Sequence, residues 1–125
     1  MISLVHKVIF IHIPKCAGQS VEETFLNDLQ LNWHDHRYLF GCFEKPTSWT
    51  KSIPGRIAHL TAKEILDFKF LPIEIFNSFY KFSIVRDPVQ RLVSSWNYLD
   101  PSENFDDWVS SVVLSGHKEN NYFFK

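Results

Sequence analysis

Two short stretches of this 125-residue chain hold residue types suited to gripping an anion. The first is Pro14-Lys15-Cys16-Ala17-Gly18-Gln19-Ser20, where an apolar run turns through Pro-Lys into an amphipathic segment. At a strand-to-helix turn the first helical N–H groups lack an internal partner and the helix dipole is positive, which favours a bound anion. Gly18 lets the backbone come close to a ligand, Lys15 adds a full charge and Ser20 a hydroxyl donor. A triphosphate loop of the G-x-x-x-x-G-K-[ST] kind needs its lysine after the second glycine. Here the lysine comes before the single glycine of the stretch, so that reading fails. An ordinary turn with a surface lysine stands beside the anion-loop reading.

The second stretch runs from Lys81 to Tyr98, KFSIVRDPVQRLVSSWNY. Arg86 follows an apolar run and Ser94 lies on the helix that begins after it. If the two apolar runs are neighbouring strands, Arg86 and Lys15 reach the same carboxyl edge of a sheet. A guanidinium with a hydroxyl suits a dianionic phosphate, each charge-assisted bond contributing roughly 1.5–3 kcal/mol. The plainer alternative pairs Arg86 with Asp87 and leaves Ser94 on a helix surface.

Together the two stretches resemble the two cofactor signatures of the sulfotransferase family, in particular its carbohydrate and membrane-associated branch. The family pattern is a strand with a Pro-Lys-x-Gly-Gly-Thr-Ser-like loop, then a strand ending in Arg-[Asp/Asn]-Pro-x-x-Arg-x-x-Ser. Arg86-Asp87-Pro88-Val89-Gln90-Arg91-Leu92-Val93-Ser94 matches the second at every polar position. The first departs at Ala17, in place of a glycine, and at Gln19, in place of a threonine. The resemblance implies 3′-phosphoadenosine 5′-phosphosulfate (PAPS) as sulfuryl donor, with no metal, and a hydroxyl acceptor on a carbohydrate. Pro14, Lys15, Cys16, Ala17, Gly18, Gln19 and Ser20 would hold the 5′-phosphosulfate, and Arg86 and Ser94 the 3′-phosphate. Lys15 would also offset charge on the leaving phosphate. Family domains are about twice as long, so the chain is expected to form a single PAPS-binding domain over residues 1–125 that lacks the usual C-terminal portion. A non-catalytic donor-binding remnant and an atypical P-loop kinase are the rival readings.

Sulfuryl transfer also needs a base for the acceptor proton. His59 is the candidate, because in RIAHLTAKEI it ends a short apolar run just before a helix start. A half-buried histidine bonded to a backbone carbonyl is the plainer alternative. His12, inside an apolar run, reads as a core histidine with a satisfied ring. His34 and His36 have only i, i+2 spacing, weak for a metal. Arg91 reads as a brace to Asp87 or a neighbouring loop, and Glu22 and Glu23 as a solvated helix face. Cys16 lacks the arginine that a phosphatase-type C-x-x-x-x-x-R loop would need. Trp33, Trp49 and Trp96 could stack on a sugar or an adenine, with core packing as the default.

The positioning elements follow from period and caps. Val8–Ile13 and Lys81–Val85 read as strands buried on both faces, and Arg56–His59 as a short middle strand. Val21, Phe25 and Leu29 mark an amphipathic helix over Gln19–Leu29. Thr61-Ala62-Lys63-Glu64 is a capping box, and Asp87-Pro88 a second helix start. Phe105, Trp108, Val109, Val112 and Val113 mark a last helix, with Gly116 as its C-cap. Residues 31–54 read as a long connection. Strands and helices alternating in this order predict an α/β, three-layer P-loop-like fold with a small central parallel sheet flanked by helices.

Composition sets the outer bounds. At 45% hydrophobic and 22% charged the chain reads as one globular domain, and twelve phenylalanines predict a core rich in rings. A net charge of −1 gives no general reason to expect nucleic acid or an anionic membrane as partner. No run reaches the roughly eighteen apolar residues of a membrane-spanning helix. Cys16 and Cys42 are too few for a disulfide framework. With no signal-peptide pattern at the start, a cytoplasmic location is expected. Open sheet edges would favour a homo-oligomer, or coverage by the Phe123-Phe124 pair.

Overall fold

The computed structural model describes residues 1–32, 39–40, 58–99 and 102–114. Trp33, His34, His36, Cys42, Trp49, Arg56, Gly116, Phe123 and Phe124 lie outside the described residues. The chain divides into two compact units, Met1–Ile13 with Ala17–Ile84, and Pro14–Cys16 with Val85–Lys125.

The first unit is organised around β2 (Val8–Ile11). Successive strand residues face opposite sides of a sheet, and both Ile9 and Phe10 are sealed from solvent. Each therefore needs its own cover. Ile9 packs with Ile2, Leu60, Ile65, Leu71 and Phe76, brought by α2 (Ala62–Asp67) and α3 (Ile73–Ser78). Phe10 packs with Met1 and Leu26, the latter on α1 (Gly18–Asp28). Helices against both faces of a small sheet are compatible with the layering that the alternating elements predicted.

The sheet order is β3-β1-β2-β4, with β1 at Ile2–Ser3, β3 at Leu39–Phe40 and β4 at Tyr80–Ser83. The pairing of β2 with β4 is parallel, from Val8 opposite Tyr80 to Ile11 opposite Ser83. However, β1 runs antiparallel to both β2 and β3. The expected parallel sheet is thus a mixed one. Only residues 4–7 separate β1 from β2, whereas a parallel crossover needs about a dozen or more.

Two further expectations are corrected. Ala58 and His59 lie in a turn and not in a strand, because the chain must bend there to enter the N-cap of α2. The run Lys81–Val85 is neither buried nor a strand throughout. β4 stops at Ser83 and Val85 is 79% exposed. Among the described residues β4 has a neighbour on one side only, so its faces receive less cover. Neither β1 nor α3 was foreseen; both are short, and α3 starts from Pro72 without a side-chain cap.

The helix starts formed as their residues dictate. The Glu64 N–H donates to the Thr61 hydroxyl at 3.2 Å, and the Thr61 N–H donates to the Glu64 carboxylate at 2.8 Å. In the second unit the Gln90 N–H donates to Asp87 Oδ1 at 2.9 Å, opening α4 (Pro88–Leu99). Trp96 of α4 meets Phe105 of α5 (Phe105–Leu114) edge to face, with ring centroids 5.8 Å apart. No helix among the described residues is long and apolar enough to cross a membrane.

Thr61→Ala should destabilise the chain by about 1 kcal/mol, the usual cost of losing an N-cap, and Thr61→Ser should recover most of it. Urea unfolding of the three proteins measures this; an unchanged midpoint for Thr61→Ala would mean that the box contributes nothing.

Candidate functional site

Because β2 and β4 are parallel neighbours, the chain leaves both at the same edge of the sheet. Lys15 lies four residues beyond Ile11 and Arg86 three beyond Ser83. Within the second unit the two cations come together. The Arg86 guanidinium reaches the Lys15 carbonyl at 3.5 Å, the long limit for a hydrogen bond. Arg91 Nε donates to the Pro14 carbonyl at 3.0 Å, so this arginine braces the loop, the second of the two structural roles open to it. Lys15 Nζ sits 4.0 Å from the Tyr98 ring centroid, a cation–π distance. Burial, and secondarily the Arg86 charge, hold the Lys15 ammonium below the ordinary lysine range.

Asp87 does not consume Arg86. Its carboxylate accepts from Gln90, and no Arg86–Asp87 ion pair occurs among the described residues. Ser94 stands half-buried on the second turn of α4. Cys16 is a free thiol, 2% exposed, which removes it from consideration as a nucleophile.

The loop backbone is unusual on alternate residues. Lys15 has φ 63° and Ala17 φ 59°, both in the left-handed region. A side chain there costs roughly 1–2 kcal/mol relative to glycine. The departure at Ala17, where the family pattern has glycine, therefore falls at a position whose backbone favours glycine. Ala17 is the N-cap of α1, which has no side-chain cap and no acidic residue in its first turn. Its leading N–H groups are left for another acceptor. Gln19 and Ser20 are exposed in that turn and Gly18 is buried.

Gly18 is required for space. A Cβ there would collide with the His12 imidazole. His12, 8% exposed, has its Nδ1 3.0 Å from Oε1 of Glu22, 2% exposed. His12 is the core histidine that its position predicted, with one ring nitrogen, Nδ1, paired. Glu22 is not on a solvated face: Gly18, Glu22 and Leu26, four residues apart, form the buried line of α1. His59 Nδ1 lies 3.0 Å from the His12 carbonyl oxygen, and the two rings meet edge to face at 4.3 Å. A carbonyl only accepts, so Nδ1 of His59 carries the proton and Nε2 is the basic nitrogen of the neutral ring. The carbonyl bond is the one that the plainer reading of His59 anticipated, and it also sets the tautomer that a base needs.

The family model for the sulfotransferase family matches residues 1–121. The chain belongs to the sulfotransferase family. None of the curated proteins and none of the solved structures compared with it gives a match. In this sulfotransferase-family chain the paired signatures are joined, among the described residues, by Arg86 to the Lys15 carbonyl and by Arg91 to the Pro14 carbonyl. Two residues near the signatures escaped sequence reasoning. Tyr98 carries no periodic signal; Glu22 carried one, its i, i+4 relation to Gly18 and Leu26.

Ala17→Gly should stabilise the fold by about 1 kcal/mol through relief of the left-handed φ. Gly18→Ala should destabilise it, although glycine-to-alanine in a helix ordinarily gains about 0.5–1 kcal/mol. Denaturant midpoints test both, and a stabilised Gly18→Ala would mean that His12 does not occupy that space. Arg86→Ala should raise the Lys15 pKa without restoring the ordinary value, since burial, the larger cause, persists. Titration of the Lys15 side-chain resonances by NMR reads this directly; a fixed or lowered value would contradict the pairing.

Proposed function

We propose that the chain transfers a sulfuryl group from PAPS to an acceptor hydroxyl, with a carbohydrate as the favoured acceptor class. The contact that carries this reading is the approach of Arg86 to Lys15, two cations on adjoining loops whose repulsion a bound anion would relieve. The available donors suit a phosphate or sulfate group: an ammonium, a guanidinium, and helix N–H groups without a side-chain cap. The small sheet of the first unit, with helices against both faces, is compatible with a P-loop-like domain.

In this reading Pro14 to Ser20 cradle the 5′-phosphosulfate, and Arg86 with Ser94 take the 3′-phosphate. When bound, the donor supplies an activated sulfuryl group, whose bond to the 5′-phosphate breaks as the acceptor oxygen forms the new S–O bond. Lys15 offsets the charge that gathers on the leaving phosphate. The acceptor proton passes to Nε2 of His59, whose tautomer supports that role. Arg91 keeps the Pro14 carbonyl, and with it the loop, in position.

Calorimetry with adenosine 3′,5′-bisphosphate and with ATP plus Mg²⁺ tests the donor site. The bisphosphate should bind selectively, and Arg86→Ala should weaken it by about 10- to 150-fold, the equivalent of one charge-assisted bond. A preference for ATP, or indifference to Arg86, would refute the donor assignment. With an acceptor in hand, His59→Ala should lower turnover by ~10²–10⁴-fold while bisphosphate binding holds. Donor binding without turnover on any acceptor would make the chain a binding module.

A further inference from the structure

We propose that Glu22 is a positioning residue for His59, acting through the imidazole of His12. The inference rests on His59 being the base, and it adds a residue that neither signature contains.

The buried Glu22–His12 pair calls for an explanation beyond stability. Two ionisable groups at 2% and 8% exposure have lost nearly all their hydration. Apolar residues of like volume often stabilise such a place equally well or better. What the pair does fix is geometry. The hydrogen bond between His12 Nδ1 and the Glu22 carboxyl sets the plane of the ring. On one side that ring stacks on Phe10, with centroids 5.5 Å apart and planes at 27°. It fills the space that Gly18 leaves by having no side chain.

His59 depends on the same residue twice. Its Nδ1–H donates to the His12 carbonyl, and its ring packs edge-on against the His12 ring. With the His12 ring held, His59 has a fixed face to lie on, and its Nδ1–H stays on the carbonyl. With the ring released, His59 loses that face and is held less tightly on the carbonyl. The Nδ1–H bond then weakens and the second tautomer gains population. Neutral imidazole orientation is commonly set through the nitrogen that does not react, and here Glu22 governs it at one remove.

The test is the tautomer of His59, read from long-range ¹H–¹⁵N correlations of histidine-labelled protein at a pH where the imidazoles are neutral. The wild type should show a protonated Nδ1 and an unprotonated Nε2 for His59, with widely separated nitrogen shifts. Glu22→Met, close in volume and without an acceptor oxygen, should draw the two shifts together. Glu22→Gln, whose amide oxygen can accept the His12 bond, should keep them apart. Unchanged His59 shifts in Glu22→Met, or equal collapse in both variants, would overturn the positioning role and leave the base assignment standing. Full turnover by His59→Ala would instead remove the base assignment, and Glu22's part in the reaction with it, even where the tautomer result holds.

Discussion

Four parallel residue pairs, Val8 with Tyr80 through Ile11 with Ser83, are the constraint on which the rest depends. Parallel strands deliver the chain to the same edge of a sheet, so the pairing brings together two segments about seventy residues apart in sequence. The last pair is pinned by the Ser83 hydroxyl, which donates to the Ile11 carbonyl at 2.9 Å. A one-residue slip of β4 would turn every side chain to the other face. It would also shift the point at which Arg86 leaves the sheet. The loop contacts of Arg86 and Arg91 follow from this register.

Charge within the second unit works against the stability of the fold. Lys15 and Arg86 repel, and the lysine is partly desolvated, so its ammonium is disfavoured in the folded chain. Proton linkage gives the sign: the cost is present in full below the lowered pKa and fades as pH rises through it. A bound anion would reverse the balance. The left-handed Ala17 adds local backbone strain at the same loop, and strain of this kind gathers where a backbone must present its N–H groups. Stability is supplied elsewhere, by Ile9 and Phe10 and the helices that cover them.

Much of the fold was legible in local chemistry. The Thr61–Glu64 box, the Asp87-Pro88 start and the period of Phe105–Leu114 each act within one helix, and each formed where its residues indicated. The buried pair Ile9 and Phe10 was legible as an apolar run. Errors came where exposure or pairing depended on distant residues. The run at Lys81–Val85 looks buried by composition, but β4 has one neighbouring strand among the described residues. Glu22 looks solvated by its charge, but His12 receives it. The antiparallel β1 follows from a short connection that no two-residue strand announces.

The sequence by itself determined the two signature stretches, and with them the family, because residue type and spacing are local properties. It also determined the helix caps, since their hydrogen bonds span only three residues. Tertiary structure alone decided that Arg86 turns to the Lys15 backbone and not to Asp87. It likewise decided that Glu22 is buried on His12, and that Nε2 is the basic nitrogen of His59. Each of these depends on a partner brought near by folding, from ten to seventy-one residues away, and no local pattern encodes a partner at that distance.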